Sequence, residues 1–126
     1  MEVDVENKTT LVVGASPKKE RYSNKALHML KEYGHTVIPV HPALDEIDGV
    51  PTRRQLGDVD QKVHTVTLYV APQRSEAMQD AIIALQPKRV IFNPGAECEP
   101  LKARLEQEGI DWEEACTLVL LKTGQY

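Results

Sequence analysis

Lys18, Lys19 and Arg21 put three cations within four positions, directly after the small-residue turn Gly14-Ala15-Ser16-Pro17. Elsewhere the chain is acidic, with 19 Asp and Glu against 15 Lys and Arg and a net charge of −4. A local excess of cations in an acidic chain suits an anionic ligand, and a glycine turn opening a helix supplies free N–H groups for a phosphate. The turn is neither G-x-G-x-x-G nor a Walker loop, because the later glycines are missing and Pro17 removes a donor. A solvated strand-to-helix turn with ordinary surface charge is the competing reading.

Other chemistry-bearing residues are few. Cys98 and Cys116 stand 18 apart, in no metal-ligand spacing, and suit reduced thiols. Glu97 and Glu99 resemble a carboxylate pair but fit helix capping better. His28 and His35 read as surface histidines. Neither a catalytic triad nor a metal constellation is present in the sequence, so the site expectations are catalytic none and metal none.

The elements that would hold these residues alternate. Residues 9–13 read as a first strand. Ala26, Leu27, Leu30 and Tyr33 make an amphipathic face from Ser23 to Tyr33, with Ser23 or Asn24 as cap and Gly34 as the left-handed stop. The second strand is His35 to Val40, where Pro39 suggests an edge or an N–H turned away from the ladder. Residues 43–63 show no full helix. Turns fall at Asp48-Gly49 and Val50-Pro51, a short helical turn at Thr52 to Leu56, and this long connection is a candidate binding element.

His64 to Val70 is a third strand, broken by Ala71-Pro72. Glu76 to Leu85 reads as a helix with Ala77, Met78, Ala81, Ile82 and Leu85 on its core face. Lys88 to Phe92 is a fourth strand ending in Asn93-Pro94-Gly95, Glu99 to Glu108 a helix stopped by Gly109, and Ile110 to Trp112 a fifth strand. Cys116 to Leu121 reads as a short returning helix.

This alternation predicts an α/β fold: a Rossmann-like, doubly wound, parallel five-stranded sheet of order 3-2-1-4-5 in a three-layer α/β/α sandwich. Ligands gather where the strand order reverses, here expected between strands one and four. At 126 residues with 41% hydrophobic content, the chain suits one domain, 1–126, with 1–8 as a frayed arm or short first turn. No run approaches the roughly 20 apolar residues of a membrane span, and Met1-Glu2-Val3-Asp4 is acidic where a signal peptide would be basic. The expectation is a cytoplasmic protein. Its pI of about 5.5 argues against nucleic acid as a partner.

The segments VVGASPKKERYSNKALHMLKEYGHTVIPVHP, HTVTLYVAP, RVIFNPGAE and a late Cys-Thr-Leu-Val occur in that order over residues 9–124. The set resembles the small single-domain coenzyme A-binding proteins of bacteria and archaea, similar in turn to the coenzyme A-binding domain of the succinyl-coenzyme A synthetase alpha subunit. The resemblance implies coenzyme A or acyl-coenzyme A as cofactor. Gly14, Ala15, Ser16 and Pro17 would form the pyrophosphate turn, with Lys18, Lys19 and Arg21 on phosphate charges and Tyr22 and Ser23 completing the motif. His41-Pro42 matches an Asn-Pro pair usually followed by Lys, where this chain has Ala43. Ala71-Pro72 and Asn93-Pro94-Gly95 match turns that line the remaining groove. The resemblance also makes Cys116, where such proteins often carry Cys, the one candidate nucleophile, set against a small buried core residue, with Cys98 weaker still. The synthetase's catalytic histidine belongs to another of its domains, so the resemblance implies binding without catalysis.

Three function classes follow. The first is a non-catalytic carrier, sensor or regulatory module for coenzyme A. The second is a small NADP- or nucleotide-dependent enzyme with Lys18 and Arg21 on a 2′-phosphate. NAD itself is disfavoured, because Val40-His41-Pro42 ends the second strand without the acid that takes ribose hydroxyls. The third is a protein-interaction scaffold without ligand. A protein partner or a homodimer stays open, and no membrane is expected.

Overall fold

Runs of four residues, buried on both faces, build the centre of the protein. They are β1 (Thr10–Val13), β2 (Val37–Val40) and β5 (Thr65–Leu68), joined by β6 (Arg89–Phe92) and the more exposed β7 (Asp111–Glu114). Continuous burial is what a parallel sheet covered by helices requires. The computed structural model describes residues 7–126. All pairings in the sheet are parallel, in the order β2-β1-β5-β6-β7.

The helices are α1 (Tyr22–Glu32), α2 (Pro72–Ala77), α3 (Gln79–Ala84), α4 (Glu99–Gln107) and α5 (Thr117–Lys122). A miniature hairpin, β3 (Glu46–Ile47) with β4 (Val50–Pro51), and a 3₁₀ turn at Leu56–Asp58 fill the long connection.

Two cores sit on the two faces of the sheet. Leu11, Val13, Ile38, Val66, Leu68, Val90 and Phe92 face α2, α3 and α4, with Ile82, Leu101 and Leu105 packed on them. Val12, Val37, Leu27, Leu30 and Leu121 form the other core under α1 and α5. Fully buried side chains of this size contribute about 1.5–3 kcal/mol each relative to exposure. The result is the expected three-layer, Rossmann-like parallel sheet.

The strand order corrects one expectation. Counted along the chain, the sheet runs 2-1-3-4-5, not 3-2-1-4-5. The outer edge of β2 is taken by its own connection: Val40 bridges Arg53, the Arg53 amide donates to the Pro39 carbonyl at 2.9 Å, and the His41 amide donates to the Arg53 carbonyl at 2.9 Å. The third strand therefore pairs with β1. Pro39 carried the signal, because an edge position for its strand conflicts with an order that makes that strand internal. Its carbonyl faces outward to Arg53, so its ring nitrogen faces outward as well and no bond to β1 is lost.

Local differences have local causes. Arg21, not Ser23 or Asn24, occupies the N-cap of α1, and it makes no side-chain cap bond. Gly34 does stop α1, at φ +89°. Val50-Pro51 is a strand whose turn is Asp48-Gly49, both at positive φ, and the helical turn falls at Leu56–Asp58. The helix expected from Glu76 starts at Pro72, which sits at N1 where its missing N–H is harmless, and it breaks at Met78. His35 is buried, not on the surface. Of the expected arm, residues 1–6 lie outside the described residues. Asn7 and Lys8 are bonded to Thr36 and His35. No described helix is long and apolar enough to cross a membrane.

Candidate functional site

The turn after β1 is shaped by what it touches. Gly14 has φ +91°, and a Cβ there would meet the Tyr69 carbonyl oxygen and Val70 Cγ1, each at 2.9 Å. Only glycine lets the chain leave β1 this close to the end of β5. Ser16 Oγ accepts from the Lys18 amide at 3.1 Å, and the Asn24 amide group donates to the Ser16 carbonyl at 2.9 Å. Asn24 also donates to Asp48 at 3.0 Å, and Asp48 meets His28 at 2.8 Å. Those hydrogen bonds, first from Asn24 and then from His28, hold the Asp48 carboxyl below the usual carboxylate range, with a smaller contribution from Lys19. The hairpin turn thus anchors α1, and α1 anchors the loop.

Among the described residues, the amides of Ala15, Ser16, Tyr22 and Ser23 have no acceptor within the chain. The first turn of α1 also lacks an acidic residue and a side-chain cap. These are donors and a positive helix end left open.

They open on a cleft of about 890 Å³. One wall is the loop itself: Gly14, Ala15, Ser16, Pro17, Lys18, Arg21, Tyr22 and Ser23. His41 and Pro42 close the end beyond β2, beside Arg54, Gln55, Leu56 and Gly57. Tyr69, Arg74, Ala77, Met78 and Ala81 form the opposite wall. The lining holds four cations, Lys18, Arg21, Arg54 and Arg74, and no Asp or Glu. Arg54 is paired with Asp45 at 2.7 Å, both exposed. The side chains of Lys18, Arg21 and Arg74 have no acid partner among the described residues.

The strand order reverses between strands one and three, β1 and β5, not one and four, and the cleft lies over that point. This is where an open α/β sheet of this order places its ligand. His41 Nδ1 accepts from the amides of Ala43 and Leu44, at 3.0 and 3.1 Å, which leaves Nε2 carrying the proton. Tyr22 is 67% exposed at the rim, with Lys25 Nζ 5.5 Å from its ring centre.

Six of the sequence-predicted residues lie outside the lining. Lys19 is exposed beside Asp48. Ala71 caps α2 and Pro72 begins it. Asn93 is buried and fully used: it donates to Thr67 at 2.6 Å and the Leu68 carbonyl at 2.9 Å, and accepts from the Thr117 amide at 2.9 Å. Pro94 is exposed, and the Gly95 amide donates to the Glu97 carboxylate at 3.1 Å. For Asn93, Pro94 and Gly95 the physical reason is the strand order, which sets β5 between β1 and the end of β6.

Two further expectations change. Cys98 is the buried cysteine, whereas Cys116 is half-buried at the start of α5; neither lines the cleft. Met78 fills core space and also faces the cleft. The Tyr69 hydroxyl points into the protein, where burial pushes it up to about 12 against the opposing effect of the Thr117 and Thr67 hydroxyls. Sequence reasoning missed Arg54, Gln55, Leu56, Gly57, Tyr69 and Arg74. The sequence marks the long connection as a binding element without singling out its residues, and a helix starting at Glu76 leaves Arg74 out of the first turn of α2.

A family model described as CoA binding domain matches residues 8–122. The chain belongs to the CoA-binding domain family. A crystal structure of an uncharacterized protein, 41% identical, superposes with a TM-score of 0.90, covering 97% of this chain and all of that one. A hypothetical protein from Pyrococcus horikoshii OT3 is 26% identical, with a TM-score of 0.87 over 93% of this chain and 83% of that one. The uncharacterized protein YneT of Bacillus subtilis is 31% identical over 72 residues, 57% of this chain and 51% of that protein. The match therefore spans about half the length of that curated relative. Likeness in fold alone extends to a dinucleotide-forming acetyl-coenzyme A synthetase of Ca. Korarchaeum cryptofilum, at 23% identity and a TM-score of 0.73, covering 86% of this chain and 25% of that one.

Proposed function

We propose that this CoA-binding domain binds coenzyme A or an acyl-coenzyme A in the cleft beside Gly14, as a carrier, sensor or regulatory module without turnover. The observation that carries the reading is the sign of the lining: four cations and no carboxylate, in a chain of net charge −4, around unbonded amides at an uncapped helix start. Such a site suits a ligand with more negative charge than one helix end can balance. A phosphate monoester carries about −1.5 to −2 at neutral pH, and a pyrophosphate bridge adds to it. Coenzyme A has both, next to an adenosine for the His41 end and a pantetheine arm for the apolar wall of Ala77, Met78 and Ala81.

Binding without turnover is supported by the same lining. It holds no Cys, Asp or Glu, and its one histidine has Nδ1 engaged by two backbone amides. A small NADP-dependent enzyme would use the same cations on a 2′-phosphate.

Calorimetric titration with coenzyme A, dephospho-coenzyme A and NADP separates the readings. The account expects saturable coenzyme A binding, weaker binding without the 3′-phosphate, weaker binding still of NADP, and intact thioester after long incubation with an acyl-coenzyme A. Preference for NADP, or consumption of the thioester, would favour the enzyme.

A further inference from the structure

Arg54 and Arg74 are the two cleft cations that do not belong to the loop after β1, and they approach from opposite ends. Arg53 bridges Val40 on the outer edge of β2, so Arg54 stands beside the His41-Pro42 end of the cleft. Arg74 rises from α2, which follows β5 on the other side of β1. From the Arg53 segment across β2 and β1 to β5 is three strand spacings, about 14 Å. The two arginines therefore enter the cleft lining from segments on either side of the Gly14 turn.

We propose, resting on the coenzyme A reading, that these arginines divide recognition of the ligand: Arg54 holds the 3′-phosphate of the ribose, and Arg74 closes on the pyrophosphate from the wall facing the Gly14 loop. The nucleotide end belongs at β2, because in an open α/β sheet the ribose lies beyond the carboxyl end of the second strand. An acid there takes ribose hydroxyls, whereas an arginine takes a ribose phosphate. This chain has no acid at Val40-His41-Pro42 and has Arg54 alongside.

Arg54 is held meanwhile by Asp45, in an exposed pair at 2.7 Å. Exposed pairs contribute little, and a phosphate carries more charge than one carboxylate, so the ligand displaces Asp45. Arg74 has no such stand-in. Among the described residues its guanidinium has no ion-pair or hydrogen-bond partner, and it shares the cleft with Lys18 and Arg21 of the facing wall. The unbonded amides of Ala15 and Ser16 bind the pyrophosphate from one side only, and Arg74 supplies the other.

Calorimetry on three variants with coenzyme A and dephospho-coenzyme A tests the division. Arg74→Ala should weaken both ligands by the same factor, roughly 10–100-fold, leaving their ratio unchanged. Arg54→Ala should weaken coenzyme A alone, bringing it close to dephospho-coenzyme A. Asp45→Asn should strengthen coenzyme A by roughly 2–5-fold and leave dephospho-coenzyme A alone. All three positions are exposed, and unchanged melting temperatures confirm folded variants.

If Arg74→Ala narrows the ratio of the two ligands, or Arg54→Ala weakens both equally, the division is wrong. If the native protein binds coenzyme A and neither arginine variant changes its affinity, the assignment falls while the coenzyme A reading stands. If the native protein binds neither ligand, that reading falls and takes the assignment with it.

Discussion

Gly14 lies so close to Tyr69 that a Cβ built on it would sit 2.9 Å from the Tyr69 carbonyl oxygen. That contact joins the end of β1 to the end of β5 and fixes the floor of the cleft. Gly14→Ala combines a strained positive φ with a clash against backbone that cannot swing away. It should destabilise the fold by about 2–4 kcal/mol, read as a lower urea midpoint with an unchanged slope. A variant as stable as the native chain would mean that the two strand ends are not held together.

Asn24 is the positioning residue of the loop, since its amide group spans the Ser16 carbonyl and the Asp48 carboxylate. Asn24→Ala removes both bonds from a buried site and should cost about 1–3 kcal/mol. Coenzyme A affinity should fall further than stability alone explains, because the Ser16 amide loses its aim. An affinity equal to the native value in the folded variant would show that the loop needs no such anchor.

Asn93 makes the opposite prediction. Its three bonds tie β6 to β5 and α5, and none reaches the cleft. Asn93→Ala should destabilise by about 2–4 kcal/mol while folded protein keeps its coenzyme A affinity. Affinity loss without stability loss would return Asn93 to the site.

His35 gives the fold a pH dependence. Burial first, then the charges of Lys8 and Arg89, lower its pKa from 6.5. Its Nδ1 accepts from the Lys8 amide at 3.0 Å, and its ring lies 5.0 Å from that of Tyr126. A depressed pKa means that the unfolded chain binds the proton more readily. The stability of the neutral ring is thus complete above pH 6.5 and is lost as pH falls through the lower folded value. Melting temperature should drop between pH 7.5 and about 5, and His35→Asn should flatten that part of the curve. An equal slope in the variant would assign the effect to other groups.

Much of this was legible in the residues. Alternating apolar runs and helical faces gave the five strands, the layers and the α1 stop, and three clustered cations after Gly14 drew attention to the loop that forms one wall. What stayed hidden depends on contacts between distant segments. Strand order turned on Arg53 covering the edge of β2; Pro39 signals an edge there, but no local pattern at Arg53 says which segment covers it. Asn93 looks like a turn residue in one dimension; its partners Thr67 and Thr117 lie 26 and 24 residues away. Arg54 and Arg74 look like ordinary surface charges until the fold sets them around one cleft.

Four unbonded amides face the site from two places, Ala15 and Ser16 in the turn after β1 and Tyr22 and Ser23 at the start of α1. Amide-resolved NMR titration of the native protein with coenzyme A reads them individually. The account predicts saturating shifts, largest at Ala15, Ser16, Tyr22 and Ser23, with little change at Gly95. Shifts centred on Pro94-Gly95 instead, or no shifts at saturating coenzyme A, would contradict it.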